Sequence, residues 1–539
     1  MVEGGLEMNS SKGVIILTFT SICSKVLSLV YIPLLTLTLG DFGYGVYASA
    51  YNVYVFIYMI TIAGVSTAIP KLMAEYSATG HERDASASFK VGRNISLLMG
   101  ITMTILLCLF AVPASKFINS KQSYLAILVL CPSIFLTALI SAYRAYFQGR
   151  TKLNLIGISQ LLEQVLNVVF SVIFSYLLMG YGIEYGVAGG ALGTTVGALG
   201  ALIYLKFAYR KEIRTKRRTK KRKSTNSYIF KYIVRYSVPL ILSTAFIYAG
   251  NNLVDINLIT SGLLKSGLNH EAATIMYGHF NKYMQIINTP MIVITSLSIY
   301  ILPLISKENA SKNKSLLKNS ISRLINLGFL IALPAAVGMS VLSEEIFTAI
   351  FGPNRIGAAP IMKYGSPVFI FLSVYYLTNT MMNSLGKVKE GVFTSFIGVI
   401  IKIICDFIFI PIGIFNIYGA VLGLFLANLI MVIMNMKIIE KHIKSKGILR
   451  RAWLKPTIGA IIMGAVVIIS KILILGTLKS IFGVYVGNLI AMIITIYLCI
   501  LVYINIMLRI NGIDKELLNK VPRKISMLFG IKNKVIQNI

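Results

Sequence analysis

Fourteen apolar stretches follow one another along the chain, each about long enough to cross a bilayer. They fall at approximately 14–38, 44–69, 91–112, 124–147, 153–179, 187–208 and 232–259, then 279–304, 321–342, 361–384, 391–411, 417–437, 456–476 and 484–507. A spanning helix needs about 20 predominantly apolar residues, because the hydrocarbon core is about 30 Å thick and a helix rises about 1.5 Å per residue. The runs are too long for barrel strands and lack their period-two alternation. They predict an all-α integral membrane protein of about 14 transmembrane helices. The first stretch is too long for a cleavable leader and lacks a convincing cleavage site, so it is expected to stay as helix one.

Several of these stretches carry polar side chains at helical spacing, where residues three, four and seven apart share a face. Helix one has Ser21, Ser24, Lys25 and Ser28. Helix five has Gln160, Glu163, Gln164 and Asn167. Helix seven has Tyr248, Asn251, Asn252 and Asp255. On helix eight Asn281, Gln285 and Asn288 share a face, with Lys282 beside it. Helix four ends with Arg144 and Gln148, and helix eleven holds Lys402 and Asp406 one turn apart.

A charge at the centre of a spanning helix costs about 2.5–3.5 kcal/mol on insertion scales. Lys25, Glu163, Asp255 and Lys402 lie farthest from the span ends and are therefore expected to face protein or water. Plainer readings exist for some of them. Lys402 and Asp406 can neutralise each other as an i,i+4 pair, Arg144 can snorkel to headgroups, and the serines can bond their own helix. Glu163 and Asp255 sit among amides with no cation beside them in their own stripes, which favours cavity lining.

Charge then orients the chain. Charged residues are only 13% of the composition against 56% hydrophobic, yet the formal net charge is +33. With the N-terminus inside, the inward segments hold 36 of the 52 Lys and Arg residues and the outward loops five: Lys116, Lys121, Lys265, Arg355 and Lys479. That asymmetry is the positive-inside pattern and predicts cytoplasmic termini in a prokaryotic plasma membrane. The run Arg210 to Lys223 has ten basic residues and one acid, Glu212. It reads as a topology anchor attracted to anionic lipid, not as a nucleic-acid site.

The five cysteines all lie in apolar spans, with no disulfide or metal spacing. No Walker A, nucleophile elbow, HExxH or CxxC pattern occurs. His279 is the one histidine near a span and reads as a hydrogen-bonded structural residue. No cofactor is expected, and any driving force must come from ions, the membrane potential or substrate flux.

The basic loop separates two similar passages. Gln148-Gly149-Arg150 ends helix four and Tyr185-Gly186 precedes a glycine-rich helix; Leu385-Gly386-Lys387 ends helix ten and Tyr418-Gly419 precedes Ala420. Two six-helix halves with the same orientation imply a parallel pseudo-repeat around a central cavity. The expected organisation is an N-lobe at 1–208, a linker at 209–231 and a C-lobe at 232–437. A two-helix appendage at 438–507 and a basic tail at 508–539 complete it. Gly189, Gly190, Gly193, Gly197 and Gly200 are expected to let helix six pack closely.

Several passages together carry a resemblance: Ser24-Lys25-Val26-Leu27, Tyr143-Arg144 through Gln148-Gly149, Ser159-Gln160 through Glu163-Gln164, Asn252 through Asp255, Ile287 through Pro290, and Leu302-Pro303. The chain resembles the multidrug/oligosaccharidyl-lipid/polysaccharide (MOP) exporter superfamily. Within it the likeness is to the MurJ-type lipid II flippases and the stage V sporulation protein B group. The resemblance implies alternating access between two lobes, and an undecaprenyl-diphosphate-linked saccharide as cargo. It matches Lys25 to a basic position of helix one, and Arg144, Glu163 and Asp255 to polar positions that line or close the cavity. The chain also departs from proteobacterial members, having Tyr31 and Ile32 where an Arg-Asp pair would fall, and Asn167 replaces a residue often basic in close relatives.

Residues and resemblance point to one mechanism. Lys25 and Arg144, with Lys282 or Lys402, would hold the diphosphate by charge-assisted hydrogen bonds. The polar side chains of Ser24, Ser28, Gln148, Gln160, Gln164, Asn251, Asn252 and Gln285 would meet sugar hydroxyls. Glu163 and Asp255 either bind a coupling Na⁺ or H⁺ or pair with the cations when no cargo is bound. A monomer is the expected unit. The rival readings are a drug/cation antiporter of the same superfamily, a membrane-embedded polysaccharide polymerase or acyltransferase, and a non-transporting scaffold.

Overall fold

The computed structural model describes residues 2–214, 224–311 and 314–513. Part of the basic loop (215–223) and most of the basic tail (514–539), both read above as cytoplasmic, lie outside the described residues. Among the described residues every regular element is helical. The first six helices are α1 (Val2–Ile62), α2 (Val65–Ala78), α3 (Glu82–Phe117), α4 (Tyr124–Gly149), α5 (Leu153–Met179) and α6 (Ile183–Arg214). Next come α7 (Asn226–Tyr248), a π-helical turn at Ala249–Val254, α8 (Asp255–Lys265) and α9 (His270–Ile287). The remainder are α10 (Met291–Ala310), α11 (Lys314–Val341), α12 (Ser343–Phe351), α13 (Ala359–Gly365), α14 (Val368–Ser384), α15 (Val388–Phe409), α16 (Ile417–Ile443), α17 (Ile448–Phe482) and α18 (Val484–Arg509).

Eleven helical segments among the described residues are long and apolar enough to cross a membrane. The first, Ile16–Ala78, contains two of the expected spans, so the eleven account for all but two of the fourteen apolar stretches. Those two, 279–304 and 361–384, are each broken instead of continuous. The first breaks between α9 and α10 at Pro290, the second between α13 and α14 at Pro367. Proline lacks the N–H of the helical ladder and disfavours the α conformation in the residue before it. Within α1 the backbone leaves helical geometry at Gly40, with φ 71°, which turns the chain between the first two expected spans. That φ carries no steric cost for glycine.

Two compact units divide the chain, Met1–Asn281 and Lys282–Ile539, so the cut falls inside α9 and not in the 209–231 loop. In the first unit α7 packs on α1, α2 and α3. The glycine face of α6 lies flat on α5. A Cβ built on Gly197 would stand 2.5 Å from the Glu163 carbonyl oxygen, and one on Gly193 or Gly189 would strike Ser171 or Phe174. This close approach, expected from the sequence, sets α5 and its polar stripe in place.

In the second unit a buried polar set joins three helices. Thr394 donates to Asn435 Oδ1 at 2.7 Å, and Asn435 Nδ2 donates to Thr378 at 3.2 Å. The appended α17 and α18 are tied to α12 by polar contacts. Lys471 pairs with Glu345 at 3.0 Å, and Asn488 Nδ2 donates to the Glu345 carbonyl at 2.9 Å.

Candidate functional site

Arg144 is placed by the residues around it on α4. Tyr143, Tyr146 and Phe147 are buried, and the first two pack with Phe89 and Tyr209 in an aromatic cluster. Ring centroids there lie 4.9 Å apart for Phe89–Tyr146 and 5.4 Å for Tyr143–Tyr209. One turn on, Arg150 donates to Glu82 at 2.5 Å and to Ser77 at 3.2 Å, fastening the end of α4 to the α2–α3 turn. With its neighbours anchored in the core, the Arg144 side chain is directed toward α5.

There Arg144 Nη2 meets Glu163 Oε2 at 2.6 Å, and Nε donates to Ser159 Oγ at 3.0 Å. Ser159 in turn donates to the Ile156 carbonyl at 2.7 Å, which fixes its oxygen as the acceptor. Among the described residues Arg144 Nη1 has no hydrogen-bond partner. The pair is partly open, with side-chain exposures of 19% for Arg144 and 27% for Glu163. Glu163 therefore does have a cation beside it, supplied from another helix and invisible in its own stripe.

The rest of the α5 stripe faces α1 and α6. Ser21 donates to Gln160 Oε1 at 3.4 Å, linking α1 to α5. Asn167 Oδ1 accepts from Ser171 at 3.0 Å and from Thr194 at 3.3 Å, so this residue is engaged in helix packing. On α1, Ser28 donates to the Ser24 carbonyl at 3.0 Å and Lys25 is exposed. Gln148 is exposed and Gln164 half-buried.

Helix seven differs from the regular helix expected. Asn251 and Asn252 lie in its π-helical turn, and Asp255 begins α8 directly after it, 8% exposed. Such turns leave the i→i−4 ladder for a few residues and recur at functional sites. Asn252 Nδ2 donates to the Tyr248 carbonyl at 3.1 Å, and Asn251 is exposed.

Lys25, Arg144, Glu163 and Asp255 thus all belong to the first unit. The other two cations named from the sequence belong to the second, each in its own setting. Lys402 pairs with Asp406 at 3.0 Å, with side chains 5% and 1% exposed. Lys282 is 1% exposed and lies over the Phe351 ring, 5.1 Å from its centroid. Gln285, three residues along α9, is exposed.

One feature escaped the sequence reading: a row of tyrosines at 44, 47, 51, 54 and 58 on α1. Their spacing of three and four residues was the available signal, but tyrosine is grouped with the apolar residues, so the row merges into its span. Tyr31, on the preceding stretch of α1, joins the row by a 3.0 Å hydrogen bond from its hydroxyl to that of Tyr47.

Comparison with known proteins agrees with this architecture. The family profile described as polysaccharide biosynthesis protein matches residues 10–309, more than half of the chain, and the MatE profile matches residues 281–408. Lipid II flippase MurJ of Bacillus subtilis (strain 168) is 22% identical over 486 residues, covering 86% of this chain and 88% of that protein. Stage V sporulation protein B of the same organism is 23% identical over 434 residues, 80% of this chain and 83% of the relative. Among solved structures, lipid II flippase MurJ in an inward closed conformation aligns with a TM-score of 0.67 at 16% identity, over 91% of this chain and 98% of that one. An inward-facing multidrug resistance MATE family transporter aligns with a TM-score of 0.66 at 16% identity, over 78% and 96%. The MurJ relatives are named as lipid II flippases and the MATE family relative as a transporter. The chain is a multi-pass membrane protein that belongs to the polysaccharide biosynthesis protein family.

Proposed function

We propose that this protein is a flippase that carries a polyprenyl-diphosphate-linked saccharide, lipid II or a related polysaccharide precursor, from the inner to the outer leaflet by alternating access. The observation that carries the reading is Arg144. It is a guanidinium on a membrane-length helix, half-open, held in a fixed orientation by Ser159 and Glu163, with Nη1 still free to donate. A planar fork of donors fits phosphate oxygens, and away from bulk water such bonds are strong. Lys25, exposed on α1, supplies a second cation in the same unit. The relative named lipid II flippase MurJ, which aligns over 86% of this chain, supports the same cargo class.

In this mechanism Glu163 holds Arg144 while no cargo is present. A diphosphate oxygen displaces it, and the released carboxylate takes up Na⁺ or H⁺. The cargo's negative charge moves outward, down the inside-negative potential, worth about 2.3 kcal/mol per charge per 100 mV. The polyprenyl tail stays in lipid throughout, so only the head must cross inside protein. In this reading both termini lie in the cytoplasm of a bacterial cell, which the basic inward loops support.

A drug/cation antiporter is the second reading, favoured by the MatE match over residues 281–408. A cationic drug would be repelled by Lys25 and Arg144, which is why the anionic lipid is preferred. The deciding experiment uses the purified full-length protein in liposomes. It measures flipping of labelled lipid II, of other undecaprenyl-linked glycans and of a lipophilic cation, each with and without Na⁺ and proton gradients. Flipping of at least one diphosphate lipid is expected; movement of the cation alone would overturn the flippase.

A further inference from the structure

Tyr44, Tyr47, Tyr51, Tyr54 and Tyr58 form an unbroken aromatic row on α1, with successive ring centroids 6.4, 5.7, 5.5 and 5.8 Å apart. Side chains three and four apart share one helical face, so the row runs along a single side of the helix. Plain packing does not explain its composition. A membrane-buried face is satisfied by Leu, Val or Phe, whereas every phenol adds a hydroxyl whose burial costs free energy unless it is hydrogen-bonded. Five in succession point to a polar task.

The row is unevenly covered. Tyr47 and Tyr54 are 5% and 4% exposed, whereas Tyr51 and Tyr58 are half-buried. Those two lie seven residues apart on one line of the helix, about 10 Å at about 1.5 Å rise per residue. Tyr51, Tyr54 and Tyr58 are all within electrostatic reach of Glu163, and Tyr58 is also within reach of Arg144. The Tyr58 end of this half-open line is therefore the end that the charges of both Arg144 and Glu163 reach, and the line runs from there along α1 to Tyr51.

We propose that Tyr58 and Tyr51 form a saccharide-binding track, with Tyr58 taking the sugar next to the diphosphate and Tyr51 the second sugar. The assignment rests on the flippase reading above and goes further by naming the residues that read the glycan. A pyranose has apolar C–H faces and a rim of hydroxyls. Tyrosine offers the complement, an aromatic body and a hydroxyl that both donates and accepts. With the diphosphate on Arg144, the span from Tyr58 to Tyr51 is comparable to two linked pyranose rings. The track selects for glycan length, whereas Arg144 selects for charge.

The test uses the full-length protein in liposomes and two labelled probes: undecaprenyl diphosphate carrying one N-acetylhexosamine, and the same lipid carrying a disaccharide. Tyr51→Leu is expected to slow the disaccharide lipid about tenfold while leaving the monosaccharide lipid within about twofold; Tyr58→Leu is expected to slow both about tenfold. Tyr51→Phe keeps the ring and the packing, and should fall between wild type and Tyr51→Leu for the disaccharide alone. Equal slowing of both probes by Tyr51→Leu, or full disaccharide rates in both Leu variants, would overturn the track. Wild-type protein that moves lipid II but neither probe would also overturn the track, whereas wild-type protein that moves no diphosphate lipid at all would overturn the flippase reading, so the two failures are distinguishable.

Discussion

Among the described residues two ion pairs have both members inside membrane-length helices, and their difference separates a candidate working charge from a structural one. Lys402 and Asp406 sit one turn apart on α15, nearly inaccessible, with Lys402 Nζ donating to Asp406 Oδ2 at 3.0 Å. Arg144 and Glu163 come from different helices, meet at 2.6 Å, and are each about a fifth to a quarter exposed. A buried i,i+4 pair meets within its own helix. A pair assembled across two helices exists only in one arrangement of them, and its open side admits a competitor for either charge. The lesson is that an intramembrane charge becomes a candidate for transport when its partner comes from elsewhere and water can still reach it.

The largest effect that would sharpen this contrast is expected at Arg144. Arg144→Ala should reduce flipping by at least about a hundredfold in liposomes while the protein still inserts, because it removes the charge-assisted donors to the diphosphate. Full activity of that variant would break the comparison at its working end. At the structural end, Lys402→Ala should destabilise the protein by about 3–5 kcal/mol, read as a loss of thermal stability in detergent. The double change Lys402→Met with Asp406→Leu should restore most of that stability and leave flipping near wild type, since a buried pair replaced by apolar groups is about neutral. A stable but inactive double variant would show that the second pair works too.

Smaller effects are expected around the open pair. Glu163→Gln keeps a hydrogen-bond acceptor near Arg144 but removes the charge. Flipping should fall about tenfold and lose its response to imposed Na⁺ or proton gradients; an unchanged gradient response would make Glu163 a purely structural partner. Ser159→Ala removes one neutral acceptor, about 1 kcal/mol, and should slow flipping about fivefold. A loss as large as that of Arg144→Ala would mean that Ser159 touches the cargo itself.

Much of this was legible along the chain. The apolar runs, the glycine face of helix six, the polar stripe of α5 and the i,i+4 pairing of Lys402 with Asp406 all follow from spacing and side-chain type. The breaks at Pro290 and Pro367 were visible as residues but were absorbed into long hydropathy windows. The Arg144–Glu163 contact was hidden because its members lie 19 residues apart on separate helices, and Glu163 has only amides in its own stripe. The tyrosine row was hidden for the opposite reason: its signal was local, but grouping tyrosine with the apolar residues counts its aromatic ring and overlooks its hydroxyl.

By itself the sequence determined where helices cross and which faces are polar. Both are settled within one segment, by the thickness of the hydrocarbon and by the need of every backbone group to bond inside its own helix. Only the tertiary structure decided which charges meet, which tyrosines stay half-open, and that helix seven winds through a π turn before Asp255. Those outcomes depend on how neighbouring helices approach one another, and no spacing along a single helix encodes that distance.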